Sequence, residues 1–486
     1  MDHGSADPRH DIVFRNSLVY DGSGAPPFAA DVAVDGERIA AIGTVPAGSG
    51  RREIDLAGRA LAPGFIDAHT HDDRIVLDAP EMLPKISQGV TTVVAGNCGI
   101  SLAPVTFNGY PPAPLNLLGG REVYQFPRFA DYARAIADTV PAVNVAALVG
   151  HSSLRLRTMP DINVAATPAE VDAMLEFADE AMESGAAGFS TGLFYPTNAA
   201  AGIDEVAPIA ARFAEHGGVY ATHMRDEMDM VLESIDEALA TAGRARAQLV
   251  ISHHKCAHPR NWGRTRETLP KLEAAARTQP VNVDVYPYVA GSTNLRMDLV
   301  TTEYRIMIAW STPHPEMGGR DLADIAAEWG IDIHAAARRL DPAGAIYFQM
   351  DEADVRRVMG SPLAMIGSDG LPHDAHPHPR LWGTFPRVIG HYARDEKLFP
   401  LETAIHKMTG LTAATFRLRD RGVIAPGAYA DLVVFDPDTI IDRATYEAPR
   451  ELSAGIDAVY VNGVRSFVAG EGVIARAGRL VGGKAL

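Results

Sequence analysis

Between residues 62 and 370 eight short apolar runs alternate with segments of helical periodicity. That rhythm restricts the chain to repeated strand–helix units around a parallel sheet. The runs are APGFIDAHTH (62–71), GVTTVVAGNCG (89–99), NVAALVGHSS (144–153), AAGFSTG (186–192), GVYATHMRD (218–226), QLVISHHK (248–255), PVNVDVYPY (280–288) and LAMIGSDG (363–370). Eight parallel strands can close on themselves, so the expected fold is α/β, a (β/α)8 TIM-type barrel. Thr167-Pro168-Ala169-Glu170 reads as a capping box with proline at the first helical position, opening a helix that ends near Gly185. About seventy residues (289–360) separate runs seven and eight and hold the helical pieces RDLADIAAEWG and EADVRRVMG, an insertion expected to form a lid.

At 486 residues the chain has length for a satellite domain as well. Both ends have the texture of short strands broken by turn residues: IVFRNSLVYDG and ADVAVDGERIAAIG before the barrel, GAYADLVVFD and AVYVNGVRSFVAGEGV after it. Asp35-Gly36 is a hairpin signal between two of them. The expected division is 1–61 and 416–486 for one small β-sandwich domain and 62–415 for the barrel with its insertion.

A net charge of -17 sets up a field that repels phosphate backbones and anionic membrane surfaces, so neither nucleic acid nor membrane is an expected partner. Two cysteines, Cys98 and Cys256, are too few for a disulfide framework and fit a reducing compartment. The opening MDHGSADPRHD has no apolar core of a signal peptide, and the expected location is cytoplasmic.

Barrels of this kind keep their chemistry at the C-terminal ends of the strands. Run one ends in His69 and His71, run two in Cys98, run five in His223, run six in His253 and His254, and run eight in Asp369. A lone strand-end histidine is usually a satisfied polar residue and a lone cysteine a small buried hydrophobe. Their joint position reverses that reading and points to transition metal. His69 and His71, two apart, share a face of an extended strand. On run six His253 and Lys255 share one face and His254 and Cys256 the other, so His253 is the expected ligand unless a bulge exchanges the two histidines.

APGFIDAHTH with a strand-five histidine, a strand-six histidine and a strand-eight aspartate resembles the metal-dependent amidohydrolase superfamily. Within it, GNCGIS, GFSTGLFYP, ATHMRDE, ISHHK, NWGRTRETL, YPY and IGSDGLPHDAHPHPRLWGTFPRVIGHY resemble the D-aminoacylases (N-acyl-D-amino-acid deacylases), over essentially the whole chain. Many amidohydrolases bridge two metals with a strand-four lysine or glutamate; run four here offers only Ser190 and Thr191, and a thiolate from Cys98 would favour zinc. The resemblance implies that Cys98, His223 and His253 hold a tight zinc. It implies a second, weaker site at His69, His71 and Asp369. It further implies Tyr195, Tyr286 and Ser292 as substrate hydrogen-bond donors, and Tyr347 and Met350 as walls of the side-chain pocket.

Amide hydrolysis at neutral pH needs a nucleophile, an electrophile for the carbonyl oxygen and an acid for the departing amine. Zinc is expected to supply the first two, with Asp369 shuttling the proton. Lys255 and Arg380 are the expected cations for the substrate's carboxylate. The loop 371–380, with His373, His376 and His378 among three prolines, is read as a shaped loop and not a metal tract. The expected substrate is an N-acyl-D-amino acid with an apolar side chain. The alternatives are a hydantoinase-like or dihydroorotase-like hydrolase of cyclic amides and an inactive binding protein of the same fold.

Overall fold

The computed structural model describes residues 9–482; residues 1–8, which carry most of the polar opening segment, and 483–486 lie outside the described residues. Eight parallel strands form the central sheet: β1 (Phe65–Asp67), β2 (Val90–Ala95), β3 (Asn144–Gly150), β4 (Gly188–Gly192), β5 (Val219–His223), β6 (Leu249–Ile251), β7 (Val281–Val285) and β8 (Ala364–Ile366). Each pairs with its neighbour in chain order. The circle closes between β1 and β8 through a parallel bridge of Thr70 with Gly370, and through Ala68 N–H donating to Ile366 O at 3.1 Å.

Nearly every strand residue is buried, as a sheet covered on both faces requires. Alternation along the strands divides them between two cores. Ile66, Val94, Leu148, Ala221, Val250 and Met365 fill the barrel's interior, plugged at its foot by Phe416 and Leu418. Phe65, Val93, Val145, Phe189, Tyr220 and Ile251 face outward against the helices. The helix Pro168–Glu183 opens on the capping box: Glu170 N–H donates to Thr167 Oγ1 at 3.3 Å, and Thr167 N–H to Glu170 Oε2 at 2.7 Å.

Strands from both chain ends share one nine-stranded sheet, in which Ala60–Pro63 pairs antiparallel with Leu432–Phe435. Its own core includes Phe14, Val32, Val34, Leu61, Leu432 and Tyr460. The hairpin Phe28–Asp35 to Arg38–Gly43 pairs Asp35 with Arg38, so its turn is Gly36-Glu37, one residue beyond the expected position. Gly36, at φ 54°, supplies the left-handed turn conformation.

The insertion builds a three-stranded antiparallel sheet, Gly291–Asn294, Ala343–Tyr347 and Ile306–Ser311, with helices Leu322–Trp329 and Ile333–Leu340. Leu299, Ile308, Leu322, Ile325 and Leu340 form its core. The other helical piece, Glu352–Gly360, packs on the helix Thr265–Ala275 and on β8, so it belongs with the barrel's helices and not with the lid. No helix among the described residues is long and apolar enough to cross a membrane.

Candidate metal centre and substrate cavity

The strand ends bring six side chains together at the barrel mouth, all of them buried. Cys98 follows β2 in the left-handed region, φ 56°, which turns its Sγ to 3.3 Å from His69 Nε2 and 3.4 Å from His253 Nε2. His253 Nε2 lies 3.0 Å from His223 Nδ1. His71 Nε2 lies 3.2 Å from Asp369 Oδ1, and His69 Nε2 3.5 Å from the same oxygen. The close groups are His69–Cys98–His253, His69–His71–Asp369 and His223–Glu227–His253. Cys98 therefore stands between the two expected metal sites, next to His69 as well as His253, and is not grouped closely with His223.

Burial would push the Cys98 thiol up, but His69 and His253 hold it well below its ordinary value. Burial likewise opposes ionisation of Asp369, yet Arg380 and His69 hold its carboxyl well below the usual range. Burial draws the His223 imidazole down to about 4, which leaves it neutral and able to ligate. His71 Nδ1 and His223 Nε2 are buried without a hydrogen-bond partner. A thiolate and four imidazoles with nitrogens converging at these separations fit zinc, which takes sulfur and nitrogen donors.

Two acidic residues that the sequence reading passed over complete the centre. Asp284, on β7, lies 3.3 Å from His69 Nδ1, orienting that ring, and accepts from the His253 backbone N–H at 2.8 Å, fixing the main chain there. Glu227 lies 3.0 Å from His253 Nδ1 and 3.5 Å from His223 Nε2. Its signal was a buried lysine needing a partner: Lys255 Nζ is 2.7 Å from Glu227. Burial works against the Lys255 ammonium, but Glu227 raises its pKa above the ordinary value. Lys255 is thus an ion-paired cation at the cavity wall and not an uncommitted one.

The remaining expected residues divide by position. Tyr195, Tyr286, Ser292, Lys255 and Tyr347 line one cavity with Cys98, His223, His253 and Asp369. Tyr195 Oη is 3.1 Å from Thr293 Oγ1, and Ser292 Oγ is buried without a partner. Arg380 is fully buried, its Nη2 lies 2.9 Å from Asp369 Oδ2, and its Nε and Nη1 have no partner. Met350 is not in this cavity; it lines a smaller void behind Lys255 and Tyr286, drawn there because its N–H donates to Val289 O at 3.1 Å. Leu117, Phe194, Leu299 and Leu371 supply the apolar wall instead.

The loop histidines serve the loop: His376 Nε2 contacts Tyr446 O at 2.6 Å, His378 Nε2 contacts Ala290 O at 3.0 Å, and Arg380 N–H donates to His378 Nδ1 at 3.0 Å. His254 points away, its Nε2 2.8 Å from Thr268 Oγ1, and burial pushes the Cys256 thiol up to about 12. On β4, Ser190 Oγ accepts from Gly99 N–H at 3.0 Å and Thr191 Oγ1 donates to Thr222 at 2.8 Å, so neither is turned to the metal ligands.

The model of the amidohydrolase family matches residues 52–467. A D-aminoacylase of Alcaligenes xylosoxydans xylosoxydans is 54% identical over 453 residues, 93% of each chain. An N-acyl-D-aspartate deacylase of the same organism is 51% identical over 454 residues, 93% of this chain and 91% of that one. The crystal structure of an N-acyl-D-glutamate deacylase from Bordetella bronchiseptica, in complex with zinc and a phosphonate mimic of the tetrahedral intermediate, superposes with a TM-score of 0.93 at 47% identity, covering 97% of this chain and 99% of that one.

Proposed function

The chain belongs to the amidohydrolase family, and from that premise we infer that it hydrolyses the amide bond of N-acyl-D-amino acids, releasing a carboxylate and the free D-amino acid. The observation that supports this best is the thiolate and four imidazoles converging beside an ionised Asp369. Cys98, His223 and His253 would hold zinc, with a second, weaker site at His69, His71 and Asp369, and zinc so held would supply Lewis acidity and lower the pKa of water to about 7.

Asp369 accepts a proton from the attacking water and returns it to the departing nitrogen. Arg380 and His71 keep it ionised until then. Lys255, Arg380 and the free Ser292 hydroxyl receive the substrate's α-carboxylate, and Tyr286 and Tyr195 fix its orientation. Tyr347, Phe194 and Leu299 face the amino-acid side chain. Lys255 and Arg380 are taken up by the α-carboxylate as well as by Glu227 and Asp369, and the cavity wall holds no further lysine or arginine among the described residues, so an acidic side chain would lose solvation without a partner at a cost of several kcal/mol. Apolar side chains are therefore preferred. Two free, buried cysteines fit a cytoplasmic setting.

The test is hydrolysis of N-acetyl-D-methionine, N-acetyl-L-methionine and N-acetyl-D-glutamate. The D-methionine derivative gives the highest kcat/KM. Equal or better hydrolysis of the glutamate derivative would refute the apolar pocket, and preference for the L enantiomer would refute the D-specific reading. Ring-opening of a hydantoin at comparable kcat/KM would favour a cyclic-amide hydrolase.

A further inference from the structure

A charged cluster that the proposed reaction does not use lies behind Asp369 and the two histidines of the first strand. Lys85, in the short helix Leu83–Ile86, is 1% exposed. Its Nζ lies 2.7 Å from Asp67 Oδ2, 2.6 Å from Ser368 Oγ and 3.5 Å from Asp72 Oδ2. Asp67 ends β1 and accepts twice from Ser368, from N–H at 2.8 Å and from Oγ–H at 2.6 Å. Gly370 N–H donates to Ser368 Oγ at 3.2 Å. Ser368 is therefore gripped from several sides, one residue before the proposed proton carrier.

The cluster sits at the barrel's weakest seam. The other seven strand pairs are ladders of three or more residue pairs each, whereas β1 and β8 are joined by the single bridge of Thr70 with Gly370 and the Ala68 to Ile366 bond below it. Above it the two segments hold each other: Asp369 N–H donates to His69 O at 2.7 Å and His71 N–H to Gly370 O at 3.1 Å. Asp369 itself is left-handed, φ 48°, a conformation that an unsupported aspartate would leave.

We propose that Lys85 is a positioning residue which, through Asp67 and Ser368, sets the register of the β1 and β8 ends and so the placement of Asp369 against His69 and His71. This rests on the reading of Asp369 as proton carrier. A buried ammonium between two carboxylates is a weak source of stability, because each ion forfeits several kcal/mol of hydration. Its worth lies in geometry: the ammonium reaches the oxygens of three side chains at once and leaves the Ser368–Gly370 segment one arrangement.

The main variant is Ser368→Ala, which removes one hydroxyl and no charge. It lowers kcat about tenfold to a hundredfold with KM changed less than about twofold, the signature of misplacement near the reacting atoms. Its melting temperature stays within a few degrees of native. The visible spectrum of the cobalt(II)-loaded protein shifts, because the ligands have moved, and Ser368→Thr, which keeps the hydroxyl, restores spectrum and kcat. Lys85→Met with Asp67→Asn and Asp72→Asn removes the ammonium together with both carboxylates it pairs, leaving no unpaired buried charge, and it shows the same kcat loss and spectral shift. Native kcat and an unaltered cobalt spectrum in both Ser368→Ala and the triple variant would overturn the proposal, as would a lowered melting temperature with full activity below it. Near-native turnover of Asp369→Asn would instead remove the proton-carrier reading and leave the cobalt test of Lys85 standing.

Discussion

Cys98, His253 and Asp369 share a backbone property: all three are non-glycine residues at positive φ, 56°, 37° and 48°. Such conformations cost about 1–3 kcal/mol each and persist where surrounding contacts impose them. Here they aim donor atoms. Cys98→Gly relieves the strain and Cys98→Ala does not, so the metal-free glycine variant is the more stable by about 1 kcal/mol, measured by chemical denaturation. Both lose zinc from the tight site and activity with it. Replacing Cys256, whose thiol burial holds protonated, leaves the zinc content unchanged. A Cys98→Ala protein with full zinc would remove Cys98 from the ligand set. Asp369→Asn keeps the side chain's size but not its proton transfer, and turnover falls by about 10² to 10⁴ while zinc in the tight site remains. The residue types of the centre were legible because they fall at strand ends. The route by which His253, the expected ligand, turns inward was not: continuing the parity of Val250, which faces the barrel's interior, would turn His254 inward, and it is the left-handed turn at His253, after the strand stops at Ile251, that brings His253 in instead. Asp284 gave no sign in the sequence because it acts on His69 and His253, both remote from it in the chain, and Glu227, though only four residues from His223, was signalled solely by the need of Lys255 for a partner.

Elements announced by local signals are found within a residue of where those signals lie. Thr167, Pro168 and Glu170 mark a helix start on their own, and the helix begins there. Thr167→Ala removes the acceptor of the Glu170 N–H and lowers stability by about 1 kcal/mol with kcat and KM unchanged; a change in kinetics would mean that this helix communicates with the site. The lid's strands were less visible. GSTN, IMIAWS and AGAIY are short and pair across the insertion, Gly291 with Tyr347 and Ile306 with Tyr347, so no local alternation or two-residue turn marks them. That pairing decides which lid residues reach the substrate. Tyr347, in the middle strand, is held by donating to Asn294 O at 2.9 Å and by accepting from Arg296 N–H at 3.0 Å, so its ring stands as a fixed wall. Met350, three residues on, has already turned back toward the barrel.

On the scale of the whole molecule, the barrel and the two-ended small domain are joined by a polar knot rather than by apolar packing alone. Asp431, next to the strand Leu432–Phe435, forms a buried ion pair with Arg421 and accepts from Asn462 N–H at 2.7 Å and from Asn144 Nδ2 at 3.2 Å. Asn462 Nδ2 in turn donates to Asn144 Oδ1 at 2.9 Å. Asn144 begins β3, so one carboxylate ties the barrel's foot to the C-terminal strands and to the segment 410–423 beneath it. Removing one partner of such a pair leaves a charge buried and uncompensated, a loss of about 3–5 kcal/mol. Asp431→Ala should therefore lower the stability of the whole protein by that amount in urea or guanidinium. The metal centre lies at the opposite end of the strands, and the strands between are packed on both faces, so below the new melting temperature the variant keeps its zinc content, its kcat and its KM. Unchanged stability would mean that water replaces the lost carboxylate at no cost. A fall in kcat with the fold intact would mean instead that the two ends of the barrel are coupled through β3, and that the small domain helps to set the geometry of the site.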